Sequence, residues 1–293
     1  MFLRNNIIMR IVQYRLKDED LLHVGVLHGK DNDDVIELPW ISDTYNLFKV
    51  VQRSYKKIKN HLESGKFSPL KKKNVEITSP IFKPDKVLCI GMNYKDHCIE
   101  QNLPTPKEPI IFNKFPSCIC GPFDDIKMPN NTKELDWEVE LAVVMSKTCK
   151  NVSKEEAMEY VFGYTTSHDV SARDWQIRRN GGQWLVGKAM DGFCPLGPCI
   201  VTTDELKDPN NLEISCSVNG NIKQSSNTKE LVFKIDEIVS WISNLFTLYP
   251  GDVILTGTPP GVGVFLKPPQ YLKVGDVVEC KISSIGSVIN KIV

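Results

Sequence analysis

A run of ten residues near the middle of the chain, LDWEVELAVV (135–144), most constrains what this protein can fold into. It alternates, is rich in Val, and places Glu138 and Glu140 one residue apart. Read as a strand, it turns both carboxylates to one face and Trp137, Val139 and Leu141 to the other. Adjacent carboxylates repel, and burying them unpaired costs on the order of several kcal/mol. An E-x-E strand face is ordinarily solvated or paired with cations across the sheet. Here a third carboxylate, Asp169, follows in YTTSHDVSARDWQIRRN (164–180), and Arg173, Gln176 and Lys188 are set among apolar residues after it. Three converging carboxylates need a cation between them, and all-oxygen ligands suit Mg²⁺, Mn²⁺ or Ca²⁺.

Other polar residues carry possible chemistry. His97 and Glu100, in HCIE, share one face if that stretch is helical. A histidine oriented by a carboxylate serves as a general base or water activator, although many such pairs are simply exposed. On a helix starting near Ser171, Arg173 and Gln176 share a face, where Arg173 is suited to gripping a carboxylate through two hydrogen bonds. Arg178 and Arg179 read as surface residues. Lys188 follows the apolar WLVG, which carries its ammonium inward, where it needs an anionic neighbour. The loop TGTPPGVG (256–263) lacks both the P-loop ending and the Rossmann fingerprint, yet its amides and the Thr258 hydroxyl suit a small anion. His168, beside Asp169, points to the opposite strand face and reads as structural.

Composition narrows the function classes. Lys plus Arg and Asp plus Glu each number 36, so the balanced charge gives no case for nucleic acid or an anionic membrane as partner. No apolar run approaches the roughly 20 residues that span a bilayer. The 9 cysteines are scattered without a C-x-x-C pair, which argues for buried thiols in a reducing compartment over disulfides or structural zinc. The first residues, MFLRNNIIMRIVQYRLK, hold four basic and no acidic side chains, in the manner of a mitochondrial presequence, but MRIVQYR (9–15) already alternates like a strand. The compartment is therefore intracellular, with mitochondrion and cytoplasm both open.

The coarse pattern is α+β and β-rich. Strands are predicted over 9–15, 22–29 and 34–39, with turns at 18–20 and 30–34. Leu47, Val50, Val51, Tyr55, Ile58 and Leu62 recur at helical spacing over 44–63. These form a small α+β N-terminal domain, residues 1–75, with a boundary near 70–83 before a β-rich body, residues 76–293. In that body VLCI (87–90) reads as a buried strand, and Ser153 with Glu156 signals a helix ending near Gly163. A hairpin turns at Asn219–Gly220, a helix covers about 233–247, and two strands close the chain.

Six segments together resemble the fumarylacetoacetate hydrolase family: IGMNYKDH (90–97), PIIFNK (109–114), DWEVELAVV (136–144), HDVSARDWQ (168–176), WLVGKAMDGFCPLGP (184–198) and PGDVILTGTPPGVG (250–263). They cover nearly everything from Val87 onward, in the family's order. The resemblance implies a mixed β-sandwich roll catalytic domain, usually a homodimer, with Mg²⁺ (or Mn²⁺ or Ca²⁺) held by Glu138, Glu140 and Asp169. It implies substrate contacts from Arg173, Gln176, Lys188 and Thr258, and a base dyad of His97 and Glu100 on a short lid. Fumarylacetoacetase itself has a further metal-binding Asp before its histidine, whereas CIGMNY (89–94) has no acidic residue, which points to the shorter members acting on small 2-oxo acids. Their reactions are acylpyruvate hydrolysis, oxaloacetate decarboxylation and oxaloacetate keto–enol tautomerisation, all sharing a metal-stabilised enolate. The chain looks most like the branch for which the resemblance implies the last of these reactions, with acylpyruvate hydrolysis as the alternative. In tautomerisation the proton between O2 and C3 falls to Lys188 or to His97–Glu100. A family relative turned non-catalytic scaffold would lack some of these residues, and none is missing.

Overall fold

Alternating apolar runs dominate the chain, and the computed structural model turns them into three sheets with few helices. It describes residues 9–17, 19–29 and 31–293, and only the backbone of residues 50–53. Most of the extension before β1, parts of both predicted N-terminal turns, and the side chains of Val50 and Val51 lie outside the described residues.

The first strands are β1 (Arg10–Leu16), β2 (His23–His28) and β3 (Asp34–Glu37), as the alternation predicts. Helix α1 (Thr44–Ser64) starts at Asp43, whose carboxylate accepts from the Asn46 amide at 2.8 Å, and stops at Gly65 in the left-handed conformation. Strands β4 (Leu70–Lys71) and β5 (Val75–Thr78) complete this part. Next come β6 (Val87–Gly91), α2 (Lys95–Glu100), β7 (Ile110–Lys114), β8 (Ile119–Cys120), β9 (Leu135–Asp136) and β10 (Val139–Met145). They are followed by α3 (Lys154–Ala157), β11 (Val161–His168), β12 (Ser171–Ala172), α4 (Leu185–Lys188) and β13 (Cys194–Thr202). The chain closes with β14 (Glu213–Val218), β15 (Asn221–Asn227), α5 (Ile235–Leu245), β16 (Val253–Leu255), β17 (Val277–Ile282) and β18 (Gly286–Lys291).

The large sheet runs β4-β3-β2-β1-β13-β11-β10-β16-β6-β7, with β5 beside β1 and β8 beside β13. Because β1 pairs with β13 (Ile11 opposite Ile200), the N-terminal strands continue the sheet that carries the central ones. A four-stranded sheet, β15-β14-β17-β18, packs against β10, β11 and β13. Its hairpin turns at Asn219 and Gly220, both with positive φ, as the Asn-Gly signal predicts. All 9 cysteines are free thiols, and all but Cys120 are buried. The core strands β10, β11 and β13 are buried along their whole length. They therefore hold the polar residues at their ends in fixed positions.

The helix expected to end near Gly163 is shorter. Helix α3 continues only as a 3₁₀ turn through Tyr160, and Gly163 lies inside β11. The β-rich VFGYTTSH pairs along its length with β10, and that pairing outweighs the capping signal of Ser153. Glycine is needed at 163 because a Cβ there would stand 2.4 Å from the Val201 carbonyl oxygen of β13. Gly163→Ala is expected to cost about 1–3 kcal/mol or more through this clash with backbone, read as a lower urea midpoint at unchanged slope.

Candidate active site

The β10–β11 register builds the site. Val139 lies opposite His168, so the next residue, Asp169, falls beside Glu138, and its amide donates to the Glu138 carbonyl at 2.8 Å. Two stretches distant in sequence thereby bring Glu138, Glu140 and Asp169 together, with one oxygen from each within 4.8 Å of the others. All three are buried.

Cations surround two of the three. The Lys188 ammonium lies 2.8 Å from Glu138 and 2.9 Å from Asp169, as its position after an apolar run implies. Arg173 donates from Nη2 to Glu138 at 2.5 Å, from Nε to Asp136 at 2.8 Å, and from Nη1 to the Gln176 side-chain oxygen at 2.8 Å. Burial by itself raises the Glu138 carboxyl, but Lys188 and Arg173 more than reverse this and bring it down to about 2. Glu140 has no such partner. It accepts the Gly257 amide at 2.6 Å, while burial first, then Asp169 and Glu138, push its carboxyl well above the ordinary range. Asp169 Oδ1 sits 2.6 Å from the Lys114 ammonium with no donor in hydrogen-bonding geometry. Four buried carboxylates, counting Asp136, thus face three buried cations. The donor set is hard, all-oxygen and short of positive charge, which fits a divalent cation held by Glu138, Glu140 and Asp169.

Arg173 and Gln176 reach the site by a different backbone from the one expected. Ser171 and Ala172 pair with Leu135 and Asp136 as β12, so no helix starts there. A π-helical turn, Asp174–Arg178, follows instead and brings Gln176 under the Arg173 guanidinium. Arg178 is exposed, as read from the sequence, and pairs with Glu134. His168 is buried, and burial, then Lys114, push its imidazole down to about 3, which leaves it a neutral core residue.

On α2, His97 Nδ1 lies 2.8 Å from Glu100, and its Nε2 lies 2.7 Å from the Gln101 amide nitrogen. The second Glu100 oxygen accepts the Gly261 amide at 3.0 Å, and Asp96 accepts the Ser226 hydroxyl at 2.6 Å, so the short helix is strapped to the Gly/Pro loop and to β15. His97 lines the same cleft of ≈ 390 Å³ as Glu138, Glu140, Arg173, Gln176, Lys188 and Thr258. The Thr258 hydroxyl donates to the Val139 carbonyl at 3.0 Å and accepts from Gln224 at 2.8 Å, so its proton is committed within the chain.

Three residues of the site were not singled out by sequence. Lys114, fully buried, donates to the Phe193 carbonyl at 2.8 Å, the Val170 carbonyl at 3.2 Å and the Lys188 carbonyl, besides facing Asp169. Its place at the end of the apolar IIFNK is the same signal that marked Lys188. Asp136 accepts from Arg173 and from the Gly263 and Val264 amides at 2.7 and 3.0 Å, which ties the Gly/Pro loop to the site. Gln224 accepts the Val139 amide at 3.0 Å, and nothing local in its hairpin announces that role.

The fumarylacetoacetate (FAA) hydrolase C-terminal family model matches residues 86–293. The Homo sapiens protein named oxaloacetate tautomerase FAHD2A, mitochondrial, is 50% identical over 97% of this chain and 92% of its own length. The fumarylacetoacetate hydrolase of psychrophilic Exiguobacterium antarcticum superposes with a TM-score of 0.83 at 34% identity, over 97% of this chain and 99% of that one. Maleylpyruvate hydrolase from Sphingobium sp. SYK-6, solved in complex with manganese(II) and pyruvate, gives 0.79 at 26% identity over 97% and 99%. The chain belongs to the fumarylacetoacetate hydrolase family and is an enzyme of it.

Removing the Lys114 charge leaves Asp169 and three carbonyls facing a void. Lys114→Met is expected to lose about 3–5 kcal/mol of stability, checked by urea denaturation beside the wild type.

Proposed function

We propose that the protein is a Mg²⁺-dependent oxaloacetate tautomerase, converting enol to keto oxaloacetate. The observation that carries this reading is the cleft lined both by Glu138 and Glu140, two members of an under-neutralised carboxylate triad, and by a carboxylate-oriented histidine. The 50% identity to a relative named oxaloacetate tautomerase supports the substrate. A divalent ion held by Glu138, Glu140 and Asp169 supplies Lewis-acid polarisation of the 2-oxo oxygen.

The chain's own residues do the rest. Arg173 has five N–H donors and commits three, so two remain for a substrate carboxylate. Gln176, whose oxygen is taken by Arg173, has its amide N–H groups free to orient the oxo acid. Lys188 and Lys114 hold Asp169 from two sides, and Lys188 holds Glu138 as well. The Glu100 contact at Nδ1 leaves His97 Nε2 as the group that carries the proton between O2 and C3. Only the Gln101 amide must turn aside. The same dyad suits water activation against a C4 carbonyl, so acylpyruvate hydrolysis is the outcome that pyruvate release would reveal.

The relative's name and the basic N-terminal stretch support a mitochondrial location. Among the described residues no helix is long and apolar enough to cross a membrane. Exposed Ile110, Phe115, Leu245, Phe246 and Tyr249 fit a homodimer contact through the segments 109–120 and 241–249.

With purified protein and Mg²⁺, enol-oxaloacetate absorbance is expected to decay rapidly, without pyruvate release, and EDTA should abolish the effect. Glu138→Ala and Asp169→Ala should lose both Mn²⁺ binding and turnover. His97→Asn should lose about 10²–10⁴-fold in turnover with Mn²⁺ binding intact. Decay no faster than buffer, or full turnover by the Ala variants, contradicts the reading.

A further inference from the structure

The polar groups take up only part of the cleft. The remainder of its lining is largely carbon, from Ile90, Met92, Phe112, Ile177, Trp184 and Phe265. Two apolar walls start beside the reactive groups. On one side the Phe112 ring lies 5.1 Å from the Lys188 ammonium and meets Trp184 edge to face at 5.2 Å. Trp184 rests against Gly91, where a Cβ would come within 3.0 Å of the indole, so the missing side chain makes its seat. On the other side Phe265 packs beside His97 at 5.9 Å between ring centroids.

Among the described residues, nothing covers the far ends of these walls. Ile177 is 47% exposed and Phe265 39%, both facing the cleft they line. The cations of the lining, Arg173 and Lys188, are each bonded to two carboxylates. No further Lys or Arg lines the cleft among the described residues, so a second anionic group far from the triad meets carbon. A cavity of ≈ 390 Å³ is also roomy for a four-carbon acid and lies within the range of about 300–1,000 Å³ that encloses larger ligands.

Resting on the tautomerase reading, we propose that the Phe112–Trp184–Phe265 lining is a subsite for an apolar substituent at C3. The enzyme then also converts the enol forms of 3-substituted pyruvates, arylpyruvates above all. The reaction is redox-neutral. The enol O2–H bond breaks, its electron pair forms C2=O, the C2=C3 pair takes a proton at C3, and one proton enters as one leaves. An aryl ring on C3 would lie between aromatic edges and faces, where such contacts are favourable.

The test compares two unreactive 2-oxo acid mimics, oxamate and N-phenyloxamate, by calorimetry on the full chain saturated with Mn²⁺. N-phenyloxamate is expected to bind about tenfold or more tightly than oxamate, and Trp184→Ala and Phe265→Ala should each shrink that ratio. Phe265 is exposed enough for its variant to fold, so the outcome does not hang on Trp184. Enol-phenylpyruvate should also ketonise faster than in buffer. Equal affinity for both mimics, or a ratio preserved in both variants, overturns the subsite and leaves the 2-oxo acid reading intact. Failure of oxamate itself to bind overturns the reading and the subsite with it.

Discussion

The shortage of positive charge around Glu140 is the constraint on which the rest of this structure depends. Four carboxylates are withdrawn from water, two of them, Glu138 and Glu140, lining the cleft, and each needs compensation that water no longer supplies. Lys114, Lys188 and Arg173 provide most of it, and each is itself buried only because carboxylates and carbonyls surround it. Glu138 and Asp169 each face two cations, and Arg173 and Lys188 each face two carboxylates, so the groups compensate one another as a network. Glu140, which no cation faces among the described residues, is the carboxylate whose charge a proposed divalent ion would compensate. A polar core of this kind is costly to stability, and the long apolar strands around it carry that cost.

The fold serves the site through register more than through shape. Fully buried β10 and β11 cannot slip by a residue without turning every side chain to the wrong face. That rigidity fixes Glu138, Glu140 and Asp169 relative to one another. The groups proposed to handle substrate sit on less regular backbone: a π-turn carries Gln176, with Arg173 just before it, and a six-residue helix carries His97, while the Gly/Pro loop contributes Thr258 to the cleft and the Gly257 amide to Glu140. Rigid ligands and adjustable contacts are thereby separated within one cavity.

Much of this was legible in the sequence because strand periodicity of two is unambiguous where it repeats. An ammonium after WLVG read correctly as an inward one, and LDWEVELAVV pointed to paired carboxylates, but the run is not one strand: it breaks at Trp137 and Glu138 between β9 and β10, which belong to different sheets. Tertiary pairing overrode local signals elsewhere. Ser153 and Glu156 announced a longer helix than α3, because the β propensity of 161–168 was satisfied by β10 instead. Ser171 looked like a helix start until β9 claimed it. Asp136 and Gln224 gained their roles only from long-range contacts, with Gly263 and Val139 respectively, which no local pattern encodes.

The central claim is that Glu138, Glu140 and Asp169 together hold one divalent ion. Anomalous diffraction from crystals of the full chain grown with Mn²⁺ tests it most directly. The account predicts a single strong peak among those three carboxylates, absent from Glu140→Gln crystals. A peak bound elsewhere, or none at the triad while Mn²⁺ is present at saturating concentration, would contradict it.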